Sequence, residues 1–277
     1  MGDPRGPGCS KQDLALLVDL CRVARTVHLV PCLIGAGAVQ LGAGARWDVR
    51  LARKTNDWDI VVRVESWQEY EALAAELETE QGGFVRSSVP HRFEHRDGGR
   101  LDVVPYGGLE RRPGSLVWPD GKVMDTTGLR ALEVHHETRQ LEGLELRAAS
   151  LPANLGLKLL AYRDRRPEIV RDIQDVHSLL REAEEVVPDE RILGEGLARL
   201  ESEEVGFGEV AAYLLGREVG ATFRDEELEP MLVLLDSLGE PDDRTAGDVL
   251  AAPGAGALTR ELVIARFRAF RLGILDR

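Results

Sequence analysis

The segment from Arg53 to Val62 reads RKTNDWDIVV and places two acids at the start of an apolar, β-branched run. If this run is a strand, Asp57 and Asp59 project to the same face, because side chains alternate between the two faces. Two neighbouring carboxylates repel each other and resist burial. A divalent cation is the usual compensation, so the pair is a candidate metal-holding edge of a phosphoryl- or nucleotidyl-transfer site.

The composition is that of an ordinary globular chain with an acidic balance. The 277 residues are 43% hydrophobic and 30% charged, with a net charge of −13. This length suits one large domain or two modest ones. No run of about eighteen apolar residues predicts a membrane span. The charge argues against a protein that coats nucleic acid, but arginines cluster around 46–54, 92–112 and 163–171 and leave room for a local basic groove.

The cysteines and the N-terminus favour a reducing cytoplasm. Cys9, Cys21 and Cys32 are odd in number and lack CxxC spacing, so neither a disulfide framework nor a metal cluster is expected. Residues 1–8 form a polar Pro/Gly tail without the apolar centre of a secretory signal.

The segments on either side of the acidic strand predict alternating elements. Apolar residues three and four apart predict a helix over 11–29, followed by a short buried strand at 32–34. Gly35-Ala36-Gly37 then predicts a turn that opens a short helix. After the acidic strand, Ser66 and Glu69 have the spacing of a capping box at the start of another helix.

A hairpin is predicted next, and it carries a third acid. Residues 93–96 and 100–104 flank Asp97-Gly98-Gly99, a strong turn signal. Asp102 lies on the second strand of this hairpin, which we expect to end at Pro105 and the glycines after it.

The rest of the chain predicts an α+β fold with two domains. Residues 108–128 are rich in Gly, Pro and Asp and predict a long loop, whereas 141–149 predict one more strand. Helical patterns continue to the C-terminus. We therefore expect a flexible tail at 1–10, a core of mixed sheet flanked by helices at 11–150, and an all-helical domain at 151–277.

Three acids on predicted strands suit nucleotidyl transfer. Two divalent ions about 4 Å apart bind the triphosphate and activate the attacking hydroxyl, and Mg²⁺ prefers oxygen ligands. Small residues at Gly35-Ala36-Gly37 let backbone N–H groups approach phosphates. Each motif has a plainer interpretation: a solvated strand edge for the acid pair and an ordinary turn for the glycines. Their order along the chain favours the chemical interpretation.

This arrangement resembles the DNA-polymerase-β-like nucleotidyltransferase superfamily, whose pattern is a small-residue turn, Asp-x-Asp and a later strand-borne Asp. Within it, three further features resemble the AbiEii/AbiGii toxin-type nucleotidyltransferases. They are the Arg53-x-Thr55 lead into the acids, the strand LDVVP at 101–105, and a later helical motif made of KLLAYRDR at 158–165 and RDIQDV at 171–176. The resemblance covers about 32–180, and the remainder is matched only by its helical character.

The resemblance implies a polymerase-β-like core and a role for each motif residue. Asp57 and Asp59 would hold Mg²⁺, and Asp102 would complete the metal site or act as base. Lys158 would contact the triphosphate, supported by Asp172 or Asp175. The implied nucleotide-binding residues are Gly35, Ala36, Gly37, Arg53, Thr55, Lys158, Asp172 and Asp175. Alternatively, the charges near Lys158 merely bridge two packed helices.

Two departures from the family pattern affect the phosphate turn. Ala36 stands where the family has Gly or Ser, so a hydroxyl contact to phosphate is missing. The gap from Gly35 to Asp57 is also long, and Gly42 offers an alternative turn closer to the acids. We prefer Gly35 because an apolar strand precedes it directly.

Three functions are consistent with these motifs. The first is Mg²⁺-dependent transfer of a nucleoside monophosphate from an NTP to RNA, such as a tRNA end, or to a protein. The second keeps the chemistry but uses a small antibiotic-type acceptor, and the third is a non-catalytic nucleotide-binding module. The toxin-type resemblance also implies an antitoxin protein as partner. No membrane partner is expected.

Overall fold

The computed structural model describes residues 10–41, 57–202, 204–238, 240, 243–252 and 258–277. Arg53, Thr55 and Gly42, which the sequence analysis singled out, lie outside this range. The chain divides between Ser150 and Leu151 into two compact units. In the described residues, the first unit holds all the strands and the second is helical.

A mixed seven-stranded sheet forms the centre of the first unit. Its order is β3-β4-β5-β2-β1-β9-β8. The pairs β2/β5 and β1/β9 are parallel, and the other neighbours are antiparallel. Its strands are β1 (Cys32–Ile34), β2 (Asp57–Val64), β3 (Phe84–Arg86), β4 (Arg92–His95), β5 (Arg100–Gly107), β8 (His136–Leu141) and β9 (Leu144–Ala149), while β6 (Ser115–Val117) and β7 (Val123–Asp125) pair separately. The predicted mixed sheet is confirmed.

Three helices accompany the sheet: α1 (Lys11–Thr26), α2 (Gly35–Gln40) and α3 (Trp67–Leu77). At the start of α3, Ser66 Oγ accepts a hydrogen bond from the backbone N–H of Glu69. The predicted return bond is absent, because the Glu69 carboxylate accepts from the N–H of Glu65 instead, at 2.8 Å. The α1 helix ends at Thr26, before His28 adopts a left-handed backbone with φ of 59°.

Buried side chains on one face of β2 pack the strand against α1 and α2. Trp58, Ile60 and Val62 are fully buried. Trp58 Nε1 donates a hydrogen bond to Asp13 Oδ1 of α1 at 3.0 Å. Gly37 of α2 lies so close to the indole that a Cβ there would be 2.9 Å from Trp58 Cε3. These contacts hold the acid-bearing strand between α1 and α2.

Strand β5 passes through Pro105 and ends at Gly107, the first of the glycines that the sequence prediction placed at its end together with Pro105. Pro105 pairs with Val62 in the middle of the β2/β5 ladder. Strand β4 accompanies β5 only as far as Asp102, so from Val103 onward β5 has a strand partner on one side only. A residue without an N–H is tolerated at such an open edge.

Two predictions about the first unit were wrong. The expected loop at 108–128 contains the β6/β7 hairpin, whose three-residue strands are too short to leave a periodic pattern. Strand β8 was missed because its sequence, HETRQL, is mostly polar and half-exposed. It joins β9 through Glu142 and Gly143, whose φ values of 50° and 81° form the tight turn that favours antiparallel pairing.

The second unit is built from helices. Helices α8 and α11 pack backbone to backbone, because a Cβ at Gly216 or at Gly273 would lie 2.0 Å from a carbonyl oxygen of the other helix. The helices are α4 (Leu151–Arg165), α5 (Arg171–Val186), α6 (Asp189–Glu195), α7 (Leu197–Glu201), α8 (Val210–Thr222), α9 (Asp225–Asp236), α10 (Thr245–Leu250) and α11 (Arg260–Leu275). Among the described residues, no helix has the length and apolar character needed to cross a membrane.

The Trp58–Asp13 hydrogen bond gives a stability prediction. Trp58→Phe keeps an aromatic ring but removes the donor, so we expect the free energy of unfolding to fall by about 1–3 kcal/mol. Urea denaturation followed by far-UV circular dichroism measures this. Trp118→Phe is the matched control, because Trp118 is also buried while its Nε1 has no acceptor among the described residues. Equal losses in the two variants would contradict a stabilising role for the bond.

Candidate functional site

The register of β2 and β5 brings the predicted acids together. Asp59 and Asp102 are Cα partners on these neighbouring parallel strands. Asp57 lies two residues earlier on β2 and therefore shares the face of Asp59. Asp57 is exposed, whereas Asp59 and Asp102 are half-buried. The three acids thus line one end of one sheet face, beside the buried run that begins at Ile60.

The three carboxylates of Asp57, Asp59 and Asp102 are called the acidic edge. The predicted phosphate turn lies beside it. Ile34 at the end of β1 pairs with Asp59, and Gly35 follows with φ of 67°. The left-handed conformation favours glycine at this position, and a Cβ there would make a tight contact of 3.0 Å with Asp59 Oδ2. Ala36 and Gly37 are buried, and Gly37 packs against Trp58. Of the three predicted turn residues, Gly35 is therefore the one that lies against an acid.

Arg92 is a site residue that the sequence analysis did not single out. It is the Cα partner of Asp102 on β4 and binds that carboxylate with both arms: Nε to Oδ1 and Nη2 to Oδ2, each at 2.8 Å. The hydrogen bond to Asp102 raises the pKa of Arg92, and the charges of Asp57 and Asp59 add to this effect. Only the β4/β5 register reveals the pair, so the sequence carried no signal for it beyond the arginine cluster.

A second arginine and a histidine also lie near the acids. Arg100 Nη1 lies 3.5 Å from Asp57 Oδ1, with both side chains largely exposed. His91 stacks beside Trp118 with ring centroids 5.3 Å apart. Burial lowers the pKa of His91, although the charge of Asp102 opposes the shift. The His91 ring therefore packs in an aromatic cluster with Trp118.

Lys158, Asp172 and Asp175 form a group within the second unit. Lys158 is buried, and its Nζ lies 2.7 Å from Asp175 Oδ2 and 3.2 Å from Asp172 Oδ1. Arg165 Nη2 also reaches Asp172 Oδ2, at 2.9 Å. These contacts link α4 to α5, as the plainer interpretation of the sequence expected. The contact of Lys158 with a triphosphate stays a prediction.

The acids of the first unit have the donor chemistry that Mg²⁺ requires. No three His, Cys, Asp or Glu side chains in the described part of the chain stand close enough to enclose a metal ion. Mg²⁺ does not need such a cage, because proteins commonly hold it through one or two carboxylates together with waters and substrate phosphates. The adjacent Asp59 and Asp102, with Asp57 on the same face, fit this requirement.

Comparisons with known proteins give no family assignment. No family model matches the chain, and no curated protein matches it. Among solved structures, the chain is similar to the antibiotic-resistance factor ANT(2'')-Ia in complex with adenylyl-2''-tobramycin, at 19% identity over 70% of this chain and 100% of that one, with a TM-score of 0.38.

Two further solved structures have comparable scores. An antigenic nucleotidyltransferase-like protein from Paracoccidioides brasiliensis is 17% identical over 69% of this chain and 92% of its own, with a TM-score of 0.40. JHP933 from Helicobacter pylori is 14% identical over 97% of this chain and 91% of its own, with a TM-score of 0.37. Similarity at this level does not assign the chain to a family, and the AbiEii/AbiGii resemblance stays a prediction.

The buried Lys158 group gives a second stability prediction. Lys158→Met leaves Asp172 and Asp175 without their shared cation, and breaking a buried ion pair in this way costs about 3–5 kcal/mol. Urea denaturation would measure the loss. Arg165→Met is the matched control: the Arg165 side chain is 47% exposed, so its pair with Asp172 should contribute no more than about 1 kcal/mol. A Lys158→Met variant as stable as this control would contradict the structural role.

Proposed function

We propose that the chain is a magnesium-dependent nucleotidyltransferase, which moves a nucleoside monophosphate from an NTP to an acceptor hydroxyl. The observation that carries this proposal is the pairing of Asp59 with Asp102 on adjacent parallel strands, with Asp57 on the same face. Like charges in neighbouring positions of a sheet are unfavourable. Their placement at one open end of the sheet is what a site for cations and phosphates requires.

Each residue of the candidate site would have its own role in the proposed reaction. Asp57, Asp59 and Asp102 would hold the divalent ions; when bound, such ions neutralise the triphosphate and activate the attacking hydroxyl. Gly35, whose missing side chain lets its backbone lie close to Asp59, would place the N–H groups of the turn beside the acids, where a phosphate would bind. Asp102 is a candidate for either a metal ligand or a general base. Lys158 remains a candidate phosphate contact.

RNA is the first of the acceptor classes to consider. RNA is implied by the toxin-type resemblance, but three arginines of the basic groove predicted in the first unit are engaged with acids. Arg92 binds Asp102, Arg96 binds Asp19 and Arg100 lies near Asp57. Arg111 and Arg112 are exposed and are the remaining members of that cluster.

The second unit contains a cavity whose lining suits a small polar ligand. Its volume is about 380 Å³, and its lining includes Glu240, Asp243 and Asp248 together with Arg166 and Arg244. This size lies within the range of ligand pockets. Its three carboxylates suit a ligand with amino and hydroxyl groups, such as an aminoglycoside. A protein acceptor and an antitoxin partner rest on no specific contact of the described residues and stay predictions.

Label transfer tests the proposed chemistry. The full chain is incubated with each α-labelled NTP and MgCl₂, in separate reactions with total RNA, total protein or an aminoglycoside mixture. We expect label in one of these fractions. Asp59→Asn should reduce the transfer at least about 100-fold, because a lost metal ligand removes several kcal/mol of transition-state stabilisation.

The control for this experiment is Asp120→Asn. Asp120 is an exposed acid of the first unit that pairs with Lys122, so its loss should leave transfer unchanged. Nucleotide binding without any Asp59-dependent transfer would instead support the non-catalytic module. The fraction that takes up the label identifies the acceptor class.

A further inference from the structure

We propose that Arg92 is the resident counter-ion of the acidic edge, and that a divalent cation binds there in competition with the Arg92 guanidinium. Arg92 would thereby act as a positioning residue that sets the metal affinity of the site. This inference rests on the proposed function, because it concerns the same three acids.

The two neighbouring acids repel each other. Asp59 and Asp102 are direct neighbours across β2 and β5, and the side chain of Asp102 is only 14% exposed. Water therefore screens this repulsion less than it would at an open surface. The strand pairing cannot relieve it, because the register is held by the buried residues on the other face. A positive charge close to both strands is needed.

Arg92 supplies this charge from the strand on the other side of Asp102. Its planar fork binds both Asp102 oxygens at 2.8 Å, the two-armed geometry for which arginine, unlike lysine, is suited. The charges of Asp57 and Asp59 also act on Arg92. Arg92 thus lies within the field of all three acids, whereas Arg100 contacts the exposed Asp57 at a longer distance of 3.5 Å.

Competition follows from this geometry. A divalent cation and the guanidinium both draw their binding energy from the same carboxylates, and two like charges close together repel. When the cation binds, the interaction between Arg92 and Asp102 is therefore weakened in whole or in part, and this loss reduces the affinity for the cation. The coupling is reciprocal: the cation weakens the hold of Arg92, and removal of Arg92 strengthens the hold on the cation.

Mn²⁺ titration of the full chain, without nucleotide, tests the inference. We expect Arg92→Gln to bind Mn²⁺ about tenfold more tightly than the wild type, because a positive charge next to the ion has been removed. Arg92→Lys keeps a positive charge and should stay within about threefold of the wild type. Arg86→Gln is the matched control: Arg86 also belongs to this sheet, and its two-nitrogen contact, at 2.9 and 3.4 Å, is with Glu71.

Thermal unfolding provides an independent readout. Without metal, Arg92→Gln should unfold at a lower temperature than the wild type, because Asp102 loses the cation that binds both of its oxygens. Saturating Mn²⁺ should raise its unfolding temperature by more than it raises that of the wild type. The Arg86→Gln variant should gain as much from Mn²⁺ as the wild type does.

The outcomes separate this inference from the proposed function. If the wild type binds Mn²⁺ through Asp59 but Arg92→Gln binds it equally or less tightly, Arg92 is a structural strut and the inference is overturned. Arg92→Lys binding as tightly as Arg92→Gln would overturn it as well. If the wild type binds no Mn²⁺, or if Asp59→Asn binds it as well as the wild type does, the metal site of the proposed function fails, and the inference fails with it.

Discussion

The parallel pairing of β2 with β5 is the constraint on which the candidate site depends. It places Asp59 beside Asp102, two residues that are 43 positions apart in the sequence. The register is held from the opposite face, where Trp58 and Ile60 of β2 and Leu101 and Val103 of β5 are fully buried. A slip of one residue would turn those apolar side chains toward solvent. The hydrophobic core therefore determines which carboxylates meet.

In both units a basic side chain compensates the charge of neighbouring carboxylates, but the solvent accessibility of that basic side chain differs. In the first unit, Arg92 stands against Asp102 at an edge that solvent and small ligands can reach. In the second, Lys158 lies between Asp172 and Asp175, and its side chain is only 5% exposed, whereas that of Arg92 is 33% exposed. A half-exposed cation can be replaced by another cation at modest cost, whereas a buried one cannot, because its partners would be left desolvated. This difference favours an exchangeable site in the first unit and a structural link in the second.

Much of the fold was predictable from local patterns. The strand at 57–64, the α3 helix after Ser66 and the hairpin around Asp97-Gly98-Gly99 all have strong local signals, and each is present. The differences lie where tertiary context overrides such signals. Pro105 continues a strand because β4 stops at Asp102 and leaves that edge open. The polar strand β8 exists because β9 offers it a partner, and the β6/β7 strands are too short for periodicity to be visible.

The candidate site, too, was predictable from the sequence only in part. The sequence by itself determined which residues could hold a cation: the Asp57/Asp59 pair shares a strand face through the period of two, and the Gly35 turn follows a buried strand. It also supplied Asp102 as a third strand-borne acid. Only the tertiary structure decided that Asp102 stands next to Asp59 and that Arg92 binds it. The reason is physical: neighbours across a sheet are set by register, which depends on packing among residues distant in the chain rather than on local propensity.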